Sequence, residues 1–153
     1  MPIPRIYKPQ ECLLEGYEGL TVRLLVNPTG RELSDWQLGG LGLPGCTDCE
    51  RLNTPKAARG KKAQPAPAPA KRQYCDTCAT LRSRKARACV ALYGPSLLDR
   101  PCTTEAEALT ILDDDDIPTE VFVWLMLLPD QVVNARMEQL RPNSPGSVTT
   151  PST

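Results

Sequence analysis

The sequence predicts a small α+β protein: an N-terminal β-hairpin with a short helix, a four-cysteine zinc module, and C-terminal helices. Three observations carry that reading. Leu20, Val22, Leu24 and Val26 alternate with Thr21, Arg23 and Leu25, the period of a strand with one buried face. Thr29-Gly30-Arg31-Glu32 and Thr104-Glu105-Ala106-Glu107 both fit the capping box, in which a threonine and a glutamate satisfy each other's backbone N–H at a helix start. Cys46-Thr47-Asp48-Cys49 and Cys75-Asp76-Thr77-Cys78 form two CxxC pairs. At 153 residues the chain suits one domain, or a small domain with an insertion.

In chain order, Cys12-Leu13-Leu14 leads through the turn-rich Gly16-Tyr17-Glu18-Gly19 into the alternating strand, so residues 11–26 read as the hairpin. Asn27-Pro28 stops it, and Thr29 caps a short helix through Leu33 and Trp36 that ends at Gly39-Gly40. Residues 43–94 hold the cysteine module, interrupted over 53–73 by a Pro/Ala/Lys-rich stretch expected to be an extended, exposed linker. Ala79 to Leu92 is a strong helix former. Residues 95–141 read as an acidic helical region. In it, Asp113–Asp116 form a solvated acidic loop, Thr119 caps a segment through Val121, Trp124, Leu125 and Leu128, and Pro129 opens a last helix carrying Val132, Val133, Met137 and Leu140. Val121-Phe122-Val123-Trp124 also suits a strand. Residues 1–42 thus form the hairpin and helix, and 142–153, rich in Pro, Ser and Thr, a disordered tail.

The cysteines point to the chemistry. A tetrahedral Zn²⁺ takes four soft ligands at about 2.3 Å, and each CxxC turn supplies two thiolates, so Cys46, Cys49, Cys75 and Cys78 complete a Cys₄ site. The 25 residues between the pairs are no obstacle, because closure entropy rises slowly with loop length. Four thiolates leave no position for water, so the zinc is expected to be structural. A redox CxxC, an iron–sulfur cluster and unliganded thiols are the rival readings. Cys12, Cys89 and Cys102 are expected to be small buried residues; on the helix Cys89 lies about 16 Å beyond Cys78 and cannot share its metal. With Leu43-Pro44-Gly45 ahead of Cys46 and a helix after Cys78, residues 43–93 resemble a zinc-ribbon or treble-clef module.

The net charge of zero conceals an uneven distribution: −1 over residues 1–45, +8 over 46–94 and −7 over 95–153. A basic zinc module suggests nucleic acid, with Lys61, Lys62, Lys71, Arg72, Arg82, Arg84, Lys85 and Arg87 as the phosphate-facing set. The four on the helix do not share a face, however, and Lys85 falls among Leu81, Ala88 and Leu92, so only non-specific attraction is expected. The absence of histidine excludes His-based triads, HExxH sites and imidazole proton shuttles, and no P-loop, GxGxxG or GxSxG motif is present. A non-enzymatic protein is expected. No signal-peptide h-region follows Met1, and the longest apolar run, Val121–Leu128, is too short to span a bilayer, which together with the CxxC pairs suggests a reducing cytoplasm.

Glu15-Gly16-Tyr17-Glu18-Gly19-Leu20-Thr21-Val22-Arg23, the helix with Trp36, and Asp113 to Pro118 leading into Glu120 to Leu125 are similar to small tail-assembly chaperones of long-tailed phages and prophages. That resemblance covers residues 11–40 and 105–141. It implies a protein partner of the tape-measure or tail-tube type and a host-cytoplasmic location. The expected partner surface is apolar: Phe122, Trp124, Leu125 and Leu128, with Val121 and Met126 beside them. The sequence reading is therefore a zinc-stapled interaction module, with a nucleic-acid-binding zinc ribbon as the alternative.

Overall fold

The computed structural model describes residues 8–14, 16–17, 19–54 and 72–141. Lys61, Lys62, Lys71, most of the expected linker and the expected tail lie outside them. Strand β1 (Pro9–Leu13) pairs antiparallel with β2 (Thr21–Leu25), setting Cys12 opposite Val22, with both side chains buried. Gly16 and Gly19 turn the hairpin at φ of 89° and 77°, where a β-carbon would be strained. Helix α1 (Gly30–Leu38) begins with the expected capping box, Thr29 Oγ1 accepting from the Glu32 N–H and Glu32 from the Thr29 N–H.

The centre of the molecule is α3 (Asp76–Tyr93). Its residues Cys78, Arg82, Lys85, Cys89 and Leu92 recur at alternating steps of four and three and are all buried. α1 crosses it closely: a β-carbon on Gly39 would lie 2.7 Å from the Lys85 backbone nitrogen, and the Gly40 N–H donates to the Leu81 carbonyl at 3.0 Å. After α3, the two-residue strands β3 (Ser96–Leu97) and β4 (Arg100–Pro101) form a small hairpin leading to α4 (Glu105–Leu112). The Thr104/Glu107 capping box at the start of α4 is also as the sequence predicts.

Helix α5 (Thr119–Leu140) keeps residues 121–124 helical, the first of the two readings of that run, and differs from expectation in two ways. Pro118, not Thr119, occupies the N-cap, with no side-chain cap bond. Pro129 does not start a new helix but lies inside a continuous one. Proline there cannot donate to the Leu125 carbonyl four residues back. Tyr93 fills the vacancy, its hydroxyl donating to Leu125 O at 2.6 Å, while the Trp36 indole N–H donates to Met126 O at 3.1 Å.

The acidic run is more than a solvated loop. The buried Arg82 guanidinium makes a two-point ion pair with Asp113 and also donates to the Leu41 carbonyl at 2.8 Å. Asp114 pairs with Arg100 and accepts the Asp116 N–H; that N–H first, and Arg100 second, hold its carboxyl below the ordinary aspartate range. The core gathers Val22, Leu24, Trp36, Ala86, Leu92, Tyr93, Ile111, Leu125 and their neighbours into one cluster. Helix α3 therefore serves the whole fold, although the sequence suggests that it belongs to a separate cysteine module. α2 (Thr47–Asn53) contributes nothing to that cluster.

Candidate metal centre

The two CxxC pairs share one local design. Cys46 is the N-cap of α2 and Cys49 sits in its first turn; Cys75 is the N-cap of α3 and Cys78 sits in its first turn. The sequence reading places a helix only after Cys78; the structure has one at Thr47–Asn53 as well. Two helix N-termini thereby converge, each with unpaired N–H groups and a positive dipole end that favour anionic sulfur.

All four sulfurs lie within 4.8 Å of one another. Cys75 Sγ is 3.7 Å from Cys46 Sγ and 3.6 Å from Cys49 Sγ. A tetrahedron of sulfurs about 2.3 Å from one ion has edges of about 3.8 Å, whereas a disulfide needs about 2.05 Å. The spacing fits the first.

Two of the sulfurs also accept a backbone N–H: Cys75 donates to Cys49 Sγ at 3.4 Å and Leu43 to Cys78 Sγ at 3.4 Å. The Cys49 N–H brings Cys46 down to about 7, with further help from the neighbouring thiols against desolvation. At Cys49 the Cys75 N–H acts the same way, but burial and the other three sulfurs outweigh it and push the thiol up to about 12. Burial and the thiols of Cys78 and Cys46 push Cys75 up as well. The four cysteines form a candidate metal-binding cluster.

Side chains around the cluster fasten its halves together. Asn53, which sequence reading missed, donates to the Cys49 carbonyl at 2.6 Å and to the Gln73 carbonyl at 2.7 Å, and accepts the Gln73 N–H at 2.8 Å. The chain thus leaves and re-enters the centre at one point. Tyr74 packs under the Arg82 guanidinium, 4.1 Å from the ring centroid, with Arg72 at 5.8 Å. Among the described residues, the arginines flanking the cluster are already paired: Arg72 with Glu50 at 3.3 Å and Arg51 with Asp48 at 3.9 Å. The backbone N–H groups are the nearer source of positive potential.

No family model matches the chain, and neither the curated proteins nor the solved structures give a significant match. The two resemblances drawn from the sequence gain nothing from these comparisons, and the centre stands on its own atoms.

The other predicted site residues are scattered. Arg82 and Lys85, expected to face phosphate, are buried. Arg82 is held by Asp113, and Lys85 Nζ donates to the Trp36 carbonyl at 2.7 Å while sitting 3.7 Å above the Trp36 ring. Burial pushes the Lys85 amine down to about 8. Arg87 is exposed beside Glu105 at 3.9 Å, and Arg84 is half-buried. The described members of the basic set therefore do not form one phosphate-facing surface. Of the expected partner surface, Leu125 and Leu128 are core, as is Val121; Phe122, Trp124 and Met126 are half-buried. The exposed apolar residues of that segment are Val123 and Leu127, one helical turn apart.

Proposed function

We propose that the chain is a non-enzymatic interaction module stapled by one structural Zn²⁺ at Cys46, Cys49, Cys75 and Cys78. The observation that carries it is four sulfurs within 4.8 Å of one another, with Cys75 Sγ 3.7 Å from Cys46 Sγ and 3.6 Å from Cys49 Sγ, close to the edge of a tetrahedron around one ion. Zinc suits four thiolates and has no redox chemistry, and a filled coordination sphere leaves the ion a structural role. An iron–sulfur cluster would place cysteines on different iron atoms, farther apart than one tetrahedral edge.

The working surface on this reading is the outer face of α5, where Val123 and Leu127 stand exposed between the half-buried Phe122, Trp124 and Met126. Such a patch suits a protein partner with an apolar stripe; the resemblance to tail-assembly chaperones makes a long helical virion subunit the first class to try. A cytoplasmic setting agrees with thiolate ligation.

The zinc half is tested by native mass spectrometry with elemental analysis on protein purified without chelator. One zinc per chain is the expected result. Metal-free protein with disulfides between the pairs, or bound iron, would overturn it. The interaction half is tested by comparing captured material for the wild type and Val123→Glu/Leu127→Glu at low and high salt. A protein retained at high salt and lost with the double variant supports the reading. Nucleic acid released as salt rises would support the rival instead.

A further inference from the structure

Two of the three cysteines outside the metal centre meet in the core. Cys89 lies on α3 and Cys102 follows β4; their sulfurs are 3.9 Å apart and both residues are completely buried. The chain between them is the β3–β4 hairpin that carries α3 over to α4. We propose that Cys89 and Cys102 are a redox-active dithiol that hydrogen peroxide converts into an intramolecular disulfide, a second staple independent of the metal centre.

The sulfurs already touch and share an S–H···S contact. Closing by about 2 Å brings them to disulfide bond length. They also sit on opposite sides of a small structure suited to local opening. β3 and β4 are two residues each, and Leu98 and Asp99 between them both have positive φ, at 52° and 59°. Cys102 itself is tied to the far side by its N–H on the Pro95 carbonyl at 2.8 Å. Short pairings of this kind open at low free energy, which gives a water-sized oxidant its access. Bulky oxidants are shut out by burial.

The chemistry balances with peroxide as sole oxidant. The Cys102 thiolate attacks one peroxide oxygen; an S–O bond forms, the O–O bond breaks, and the departing hydroxide takes up the proton released by Cys102, leaving Cys102–SOH and water. The Cys89 sulfur then attacks the Cys102 sulfur; the S–S bond forms, the S–O bond breaks, and the hydroxide leaves with the Cys89 proton as a second water. Two thiols lose two electrons in all, and one peroxide gains them. Cys102 suits the first role because its side-chain contact with Cys89 holds its thiol below the ordinary range. The metal thiolates are a separate set: Cys78 and Cys89 are about 16 Å apart along α3.

The test uses the full chain, reduced, freed of reductant, treated with a small excess of hydrogen peroxide, then denatured in iodoacetamide and digested with trypsin. The Arg100–Pro101 bond resists trypsin, so Cys89 and Cys102 stay in one peptide, residues 88–136, with no other cysteine. The expected product is that peptide two hydrogens lighter and unalkylated, with metal content unchanged and a melting temperature raised by roughly 10 °C. Cys89→Ser and Cys102→Ser should each abolish the product. A peptide carrying two alkyl groups after peroxide, or a disulfide mapped only to the CxxC cysteines, would overturn the proposal. The wild-type peptide decides the matter even if a variant folds poorly, and the readout is the same whatever ion the Cys₄ cluster holds.

Discussion

The two CxxC pairs are alike in local build and unlike in support. Each puts one cysteine at a helix N-cap and the next in the first turn. Cys78 opens an 18-residue helix with eight buried side chains, whereas Cys49 is the only buried residue of the seven-residue α2. A helix that short does not stand alone in water. α3 is held by the core it helps to form; α2 is held by its sulfurs, by Asn53 and by exposed ion pairs. On the proposed reading, the task of an ion at the four cysteines is to fasten residues 43–54 onto a core built from other residues.

Stripping the metal puts that division under the greatest strain, since a structural zinc supplies about 10–16 kcal/mol of apparent binding free energy. With a strong chelator, or in Cys49→Ser, amides over Thr47–Thr54 should lose hydrogen-exchange protection while those of Ala86 and Ala88, deep in α3, keep theirs. Loss of protection along all of α3 would erase the distinction between the pairs. A smaller contrast lies in the ion pairs. Asp113→Ala strands the buried Arg82 guanidinium and should cost about 3 kcal/mol in denaturant unfolding. Asp48→Ala breaks a well-solvated pair on the α2 side and should cost less than about 1 kcal/mol. Equal costs would mean that α2 is as well anchored as the core.

On the core side, Tyr93→Phe leaves the Leu125 carbonyl without its donor and should cost about 1–2 kcal/mol. In a Pro129→Ala background the restored N–H can serve that carbonyl, so the penalty should shrink; an unchanged penalty would refute the account of why α5 continues through its proline. The smallest effect is expected from replacing residues 56–71 by a short Gly-Ser bridge. Asn53 and Gln73 already close that loop, so metal stoichiometry should hold and stability should move by less than about 0.5 kcal/mol. Lost metal would assign the excised stretch a structural part.

Where signals are local, the sequence is readable almost to the atom. Both capping boxes form with the predicted partners, the hairpin alternation buries Val22, Leu24 and Val26 (Leu25, expected on the open face, is buried too, and Leu20 only partly), and the CxxC spacing brings four sulfurs together. What escapes depends on residues far apart in the chain. Pro129 reads as a helix start, because the donors that let the helix run on, Tyr93 and Trp36, come from other elements. Arg82 reads as surface because its partner Asp113 is 31 residues away. Lys85 does leave a trace: it lies among Leu81, Ala88 and Leu92 on the helical wheel, a position its charge argues against but its long stem can fill. Cys89 and Cys102 leave none, since only the β3–β4 hairpin brings them together.

The chain's two tryptophans occupy opposite optical environments. Trp36 is sealed in the core, its indole bonded to α5, its ring edge-on to Tyr93 at 5.6 Å and capped by the Lys85 ammonium. Trp124 rides on α5 itself, half in water. Single-tryptophan variants would split the emission into two reporters. A ligand that lifts α5 away should shift the Trp36 band to the red, whereas one that settles on the helix's outer face should move Trp124 and leave the buried fluorophore's colour as it was.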